Sequence, residues 1–186
     1  MYTLSRNRPV KDLFATFIIT HMDAPNYVWF DGKFVPFEKA SVSVLVHSLQ
    51  YGSGIFEGIR SNKAKKGVAI FRLEDHVNRF FNSARIYGMH LEITPDVLKQ
   101  AIIDTVRKNG GGEFYIRPFG FYTSTSLGLS NLGKVSVIVA VVNMPRYFNK
   151  EGGLSCKVSS WRRINSSILP PEAKGSGNYL NSLLAS

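Results

Sequence analysis

Aromatic and polar residues alternate from Tyr27 to Pro36 around Asp31-Gly32, a strong hairpin signal because glycine tolerates positive φ. Val42 to Val46 reads as another strand, as do part of Ile55 to Arg60 and Val68 to Phe71. Lys63-Ala-Lys65-Lys66 reads as a solvated turn between strands. The period then changes. Leu73, Val77, Phe80, Phe81 and Ala84 recur at helical spacing, and Gly88 caps that helix. Thr94-Pro95-Asp96 starts a second helix, with Leu98, Ile102 and Val106 as its buried stripe and Gly110-Gly111-Gly112 as its stop.

Phe114 to Thr123 and Val135 to Val142 are β-rich runs separated by a Ser/Gly/Asn loop. Pro145 to Gly153 has linker composition, and Leu154 to Trp161 reads as the first strand of a new unit. Asn178 opens a helix bearing Leu180, Leu183 and Leu184, and the chain stops at Ser186 with that stripe uncapped. No internal repeat or low-complexity segment is visible.

With 186 residues, 44% of them hydrophobic, the chain has enough apolar content for a packed core, which argues against global disorder. A single cysteine, Cys156, excludes an internal disulfide framework, and four scattered histidines show no metal-ligand spacing. The formal charge is +10, with the excess late: from Phe114 onward eight basic residues face two acids, Glu151 and Glu172. No basic run interleaved with aromatics appears there, so nucleic-acid binding is not expected. No apolar run approaches the ~20 residues that span a bilayer, and the N-terminus lacks a small-residue cleavage site. The expected location is cytoplasmic.

The candidate chemistry centres on Pro170-Pro171-Glu172-Ala173-Lys174-Gly175-Ser176-Gly177-Asn178-Tyr179-Leu180. Gly175 and Gly177 carry no side chain to keep a ligand from Lys174. A free lysine titrates near ~10.4 and is a poor nucleophile; desolvation or a cationic neighbour makes it one that forms a Schiff base with an aldehyde.

Three further motifs stand in order with it: His47-Ser-Leu-Gln-Tyr-Gly-Ser-Gly-Ile-Phe-Glu-Gly-Ile-Arg60, Arg72-Leu-Glu-Asp-His-Val-Asn-Arg79, and Tyr115-Ile-Arg117-Pro118. Together they resemble the class IV (fold-type IV) pyridoxal-phosphate aminotransferases, and within them the branched-chain amino acid aminotransferases, from about Tyr27 to Ser186. The resemblance implies an α/β (α+β) fold: a small α/β domain over residues 23–145, a linker at 146–153, and the start of a larger cofactor-binding α/β domain at 154–186. Residues 1–22 fall outside it as an extension of uncertain origin, with Met22 an alternative start.

It further implies pyridoxal 5'-phosphate held by Lys174, Arg79 and Tyr179, with Lys174 the catalytic amine. Tyr51, Phe56, Tyr115, Arg117 and Tyr147 would form the substrate pocket. Phe56 and the rings of Tyr51 and Tyr147 would wall the branched side chains, and Arg117 would reach a second carboxylate. Arg72 and Arg85 are read as structural, and Glu57 and Arg60 as a structural pair. The implied substrates are valine, leucine, isoleucine, glutamate, 2-oxoglutarate and branched-chain 2-oxo acids, handled by a homo-oligomer built from dimers. Rival readings are a D-amino acid aminotransferase or aminodeoxychorismate lyase of the same class, and a basic non-catalytic binding module. The family's carboxylate for the pyridine nitrogen has no match before Ser186, so the chain reads as truncated. A protein ending there is expected neither to hold the cofactor tightly nor to transaminate.

Overall fold

The Asp31-Gly32 turn forms as expected in the computed structural model, which describes residues 24–143 and 156–186. Strands β1 (Tyr27–Phe30) and β2 (Lys33–Pro36) pair with Phe30 opposite Lys33, and both turn residues take positive φ, 45° and 89°. A short helix, α1 (His47–Tyr51), separates this hairpin from the next strand. β3 (Gly54–Phe56), β4 (Ile59–Ala64), β5 (Gly67–Ile70), β6 (Tyr115–Tyr122) and β7 (Val135–Val142) complete a seven-stranded sheet in which every pairing is antiparallel. The order is β2-β1-β7-β6-β4-β5, with β3 also on β6. Asp31 fastens the hairpin to β7 by accepting from the Ser136 hydroxyl and the Val137 amide, both at 2.7 Å.

β3 and β4 share one register against β6, with Phe56 opposite Phe119 and Ile59 opposite Ile116. The ladder opens between them because the facing residue, Pro118, has no N–H to give. The Glu57 amide still donates to the Pro118 carbonyl at 2.9 Å.

Strand alternation sorts the two faces of the sheet. Ile55, Glu57, Ile59 and Ser61 are fully buried on the face that packs against helices α2 (Leu73–Ile86) and α3 (Pro95–Lys108). There they join Val137, Val139 and Val141 of β7, Val77, Phe80 and Ala84 of α2, and the expected Leu98, Ile102 and Val106 of α3. Phe80 lies so close to β6 that a Cβ on Gly120 would come within 3.1 Å of its ring. Phe56, Tyr115, Arg117, Phe119 and Phe121 occupy the other face. Thr94 caps α3 by accepting the Val97 amide at 3.3 Å. Asn109 at its far end accepts the Asn26 and Tyr27 amides and donates to the Tyr27 carbonyl. A last helix, α4 (Tyr179–Ala185), ends the chain.

Two expected strands do not form. Residues 42–46 turn instead, because the Ser43 hydroxyl takes the Leu45 amide and the Ser43 carbonyl takes the Val46 amide. Val42, Val44 and Leu45 are left exposed. Of Leu154 to Trp161, the described residues 156–161 form no strand and bend at 160–161, and Val158 is fully exposed. The expected linker at 146–153 and residues 1–22 lie outside the described residues. Among the described residues no helix is long and apolar enough to cross a membrane.

Phe80, at 0% exposure, sets the spacing between α2 and the sheet. Phe80→Ala should cost about 3–5 kcal/mol of unfolding free energy, measured by denaturant titration.

Candidate active site

β3 has β6 along one side. Its other edge is taken by residues 174–177, which run antiparallel beside 52–56 with a bridge between Ile55 and Gly175. The Phe56 amide donates to the Lys174 carbonyl (3.1 Å), Ser176 N to Gly54 O (2.8 Å), and Gly177 N to Gly52 O (3.1 Å). The Ser176 hydroxyl adds a bond to Gly52 O at 2.8 Å. At two of these positions a side chain would crowd its neighbours. A Cβ on Gly175 would fall 2.6 Å from the Tyr87 hydroxyl oxygen, and one on Gly177 would sit 3.1 Å from Gly52 O. Tyr87 in turn donates to Asn178 Oδ1 (3.2 Å), and Asn178 Nδ2 donates to Ala173 O (3.3 Å), so the loop closes on itself.

With its backbone fixed this way, Lys174 sends Nζ to the Tyr179 hydroxyl at 2.6 Å and lies 4.7 Å from the Phe56 ring centroid. The Phe56 and Tyr179 rings are 4.9 Å apart. Arg117 packs on the same phenylalanine, its guanidinium carbon 4.4 Å from the ring centroid, and donates from Nη2 to the Tyr115 hydroxyl at 2.8 Å. Gly58 leaves room for that hydroxyl, since any Cβ there would collide with it. Arg117 Nε is buried and has no hydrogen-bond partner among the described residues. The cluster thus holds an amine and a guanidinium against one ring, with an unused buried donor.

Arg79 comes from α2 and is joined to Lys174 through Ser83. The Ser83 hydroxyl donates to the Arg79 carbonyl (2.9 Å) and accepts the Lys174 amide (3.0 Å). The Arg79 guanidinium makes a paired contact with the buried Glu57 carboxylate, Nε to Oε1 at 2.5 Å and Nη2 to Oε2 at 2.6 Å. That hydrogen bonding drives its pKa further above the usual arginine value, against desolvation, so the cation is permanent. His76 Nδ1 lies 2.8 Å from Glu57 Oε2.

Lys174, Tyr179, Phe56, Tyr115 and Arg117 therefore gather as expected, with Arg79 one helical turn from Ser83. Tyr51 does not join them. Its ring packs 4.6 Å from His47 and its hydroxyl accepts the Gly128 amide at 3.2 Å. Tyr147 lies outside the described residues. Arg72 pairs with Asp75 and Arg85 with Asn82, both on the exposed side of α2. The expected Glu57–Arg60 pair is replaced by Glu57–Arg79, because alternation turns Arg60 to the opposite face from Glu57. The sequence reading missed Glu57. The signal was there in Ile55-Phe-Glu57-Gly-Ile59, where the period of two puts a carboxylate among buried positions. Among the described residues no group of three or more His, Cys, Asp or Glu side chains could hold a metal ion.

The family model for amino-transferase class IV matches residues 54–186, and the chain belongs to that family. It is 39% identical over 167 residues to the branched-chain-amino-acid aminotransferase of Pseudomonas aeruginosa, covering 88% of this chain and 54% of that protein. Among solved structures it is similar to the branched-chain aminotransferase of Thermoproteus uzoniensis with norvaline: 40% identity, TM-score 0.82, over 87% of this chain and 55% of the other. It is also similar to the T.th. branched-chain amino acid aminotransferase complexed with N-(5'-phosphopyridoxyl)-L-glutamate: 41% identity, TM-score 0.79, over 89% and 54%. The fold is that of the fold-type IV branched-chain aminotransferases. The chain spans about half the length of the curated relatives it matches.

Gly175→Ala should cost about 1–3 kcal/mol of stability by driving a methyl into Tyr87. In a Tyr87→Ala background the same substitution should cost much less, a non-additivity that thermal or denaturant unfolding of the four proteins would reveal.

Proposed function

We propose that the protein carrying this chain is a cytoplasmic, pyridoxal-phosphate-dependent aminotransferase that exchanges the amino group between leucine, isoleucine or valine and 2-oxoglutarate. It would act as a homo-oligomer built from dimers. The carrying observation is the Lys174 amine, held at 2.6 Å by Tyr179 on a backbone segment whose glycines pack closely against Tyr87 and Gly52. The solved relatives bound to a phosphopyridoxyl-glutamate and to pyridoxamine 5'-phosphate support the cofactor, and the norvaline complex supports an unbranched or branched aliphatic substrate.

The residues present fit this group. Lys174 would hold it covalently, Arg79 would meet its phosphate, and Tyr179 would face its phenolic oxygen. When bound, pyridoxal phosphate supplies an electron sink for the charge left at the substrate Cα. Lys174 Nζ is the base that takes the proton from that Cα, and the Tyr179 hydroxyl aims it. Phe56 and the rings of Tyr115 and Tyr179 give an apolar wall for a branched side chain. Arg117, whose Nε has no partner among the described residues, answers the second carboxylate of glutamate with a charge-assisted bond. Tyr147 is also assigned to the proposed pocket, whereas Tyr51, turned to His47 and Gly128, is not, and residues 154–186 open the proposed cofactor domain. Exposed Val44, Leu45, Leu49, Leu127 and Leu129 support an association surface.

Borohydride treatment of the cofactor-loaded protein, followed by peptide mapping, should place the reduced pyridoxyl label on Lys174; a label on another lysine overturns the reading. Arg117→Met should lower kcat/KM for glutamate and 2-oxoglutarate by about ten- to hundredfold, the scale of a lost bond between charged groups worth ~1.5–3 kcal/mol. Leucine should be affected far less. Equal losses for both substrate types would remove Arg117 from carboxylate recognition.

A further inference from the structure

We propose that Glu57 is a positioning residue for the phosphate end of the site, orienting Arg79 before any ligand arrives. The inference rests on the reading of Arg79 as the phosphate ligand. Glu57 is fully buried on the helix-facing side of the sheet between Ile55 and Ile59. A carboxylate there is costly unless its lone pairs are met. Four donors meet them: Arg79 Nε and Nη2, His76 Nδ1, and more weakly the Gly58 amide at 3.3 Å. Two of the three donor residues, Arg79 and His76, sit one turn apart on α2, so the carboxylate also fixes how that helix is rotated.

The pair is open on one side only. The Glu57 side chain is 0% exposed, whereas that of Arg79 is 47% exposed. Glu57 occupies the Nε–Nη2 edge of the guanidinium. Of its five N–H bonds, three remain, on Nη1 and Nη2, and these form a parallel fork suited to two phosphate oxygens. A long arginine free to rotate would lose that freedom on binding an anion. Here it has already been lost in folding, so less affinity is forfeited when the anion binds. The carboxylate also adds a negative charge near the phosphate. Orientation and repulsion act in opposite directions, and the sign of the effect tells which one dominates.

The test measures dissociation constants for pyridoxal 5'-phosphate and for pyridoxal, each followed by absorbance of the lysine adduct, in the protein carrying this chain. Their ratio is the preference for the phosphate. Glu57→Gln should cut that preference about tenfold, the scale of one charge-assisted hydrogen bond, while leaving pyridoxal binding unchanged. Arg79→Ala should cut it at least as far, and the double variant no further than Arg79→Ala alone. If Glu57→Gln does not fold, Glu57→Asp, which keeps the charge but shortens its reach, should give a smaller loss of the same kind. An unchanged or raised preference in the Glu57 variant, an equal loss for both ligands, or additive losses in the double variant would overturn the proposal. A parent protein that binds neither ligand would instead overturn the functional reading on which the proposal rests.

Discussion

The site depends on the outer edge of β3. A three-residue strand with one free side offers its backbone groups to any segment that can approach closely, and residues 174–177 take that place. Backbone pairing is directional and short in range, so it sets the position of Lys174 more tightly than side-chain packing alone would. The glycines are the condition for that approach, with Tyr87 and Gly52 filling the space where side chains would be. Once the segment is docked, the lysine amine, Tyr179 and Phe56 come together without any further element.

The sheet keeps its two tasks on separate faces. One face buries valines and isoleucines against α2 and α3, and the other presents Phe56, Tyr115 and Arg117. Glu57 is the exception, a charged side chain on the apolar face. Its cost is offset by donors reaching down from α2, and this ties the rotation of that helix to the strand next to the lysine. The Pro118 interruption falls at the same place, where β3 passes into β4 and Gly58 admits the Tyr115 hydroxyl.

Much of this was legible along the chain. The Asp31-Gly32 hairpin, both amphipathic helices and the two long strands follow from period and punctuation, because each is decided by neighbours within a few residues. The lysine run and the Tyr115-Ile-Arg117 motif were legible too, although their convergence on Phe56 depends on strand register. Residues 42–46 misled because an apolar alternation says nothing about whether a partner edge exists, and two bonds to Ser43 were enough to bend the segment. Residues 156–161 misled as well, since β-rich composition alone does not make a strand, and the segment bends at 160–161. Glu57 was misassigned because Arg60 is near in sequence, while its true partner is 22 positions away on a helix.

Ser83 gives α2 the role of a gauge. Its hydroxyl accepts the Lys174 amide at 3.0 Å and donates to the Arg79 carbonyl at 2.9 Å, so two hydrogen bonds through one oxygen set how far apart the backbones of lysine and arginine stand. The length of a hydrogen bond hardly varies with sequence, whereas the reach of a loop does. The Ser/Gly/Asn loop between β6 and β7 and the turn after β4 can therefore change length and composition without altering that separation.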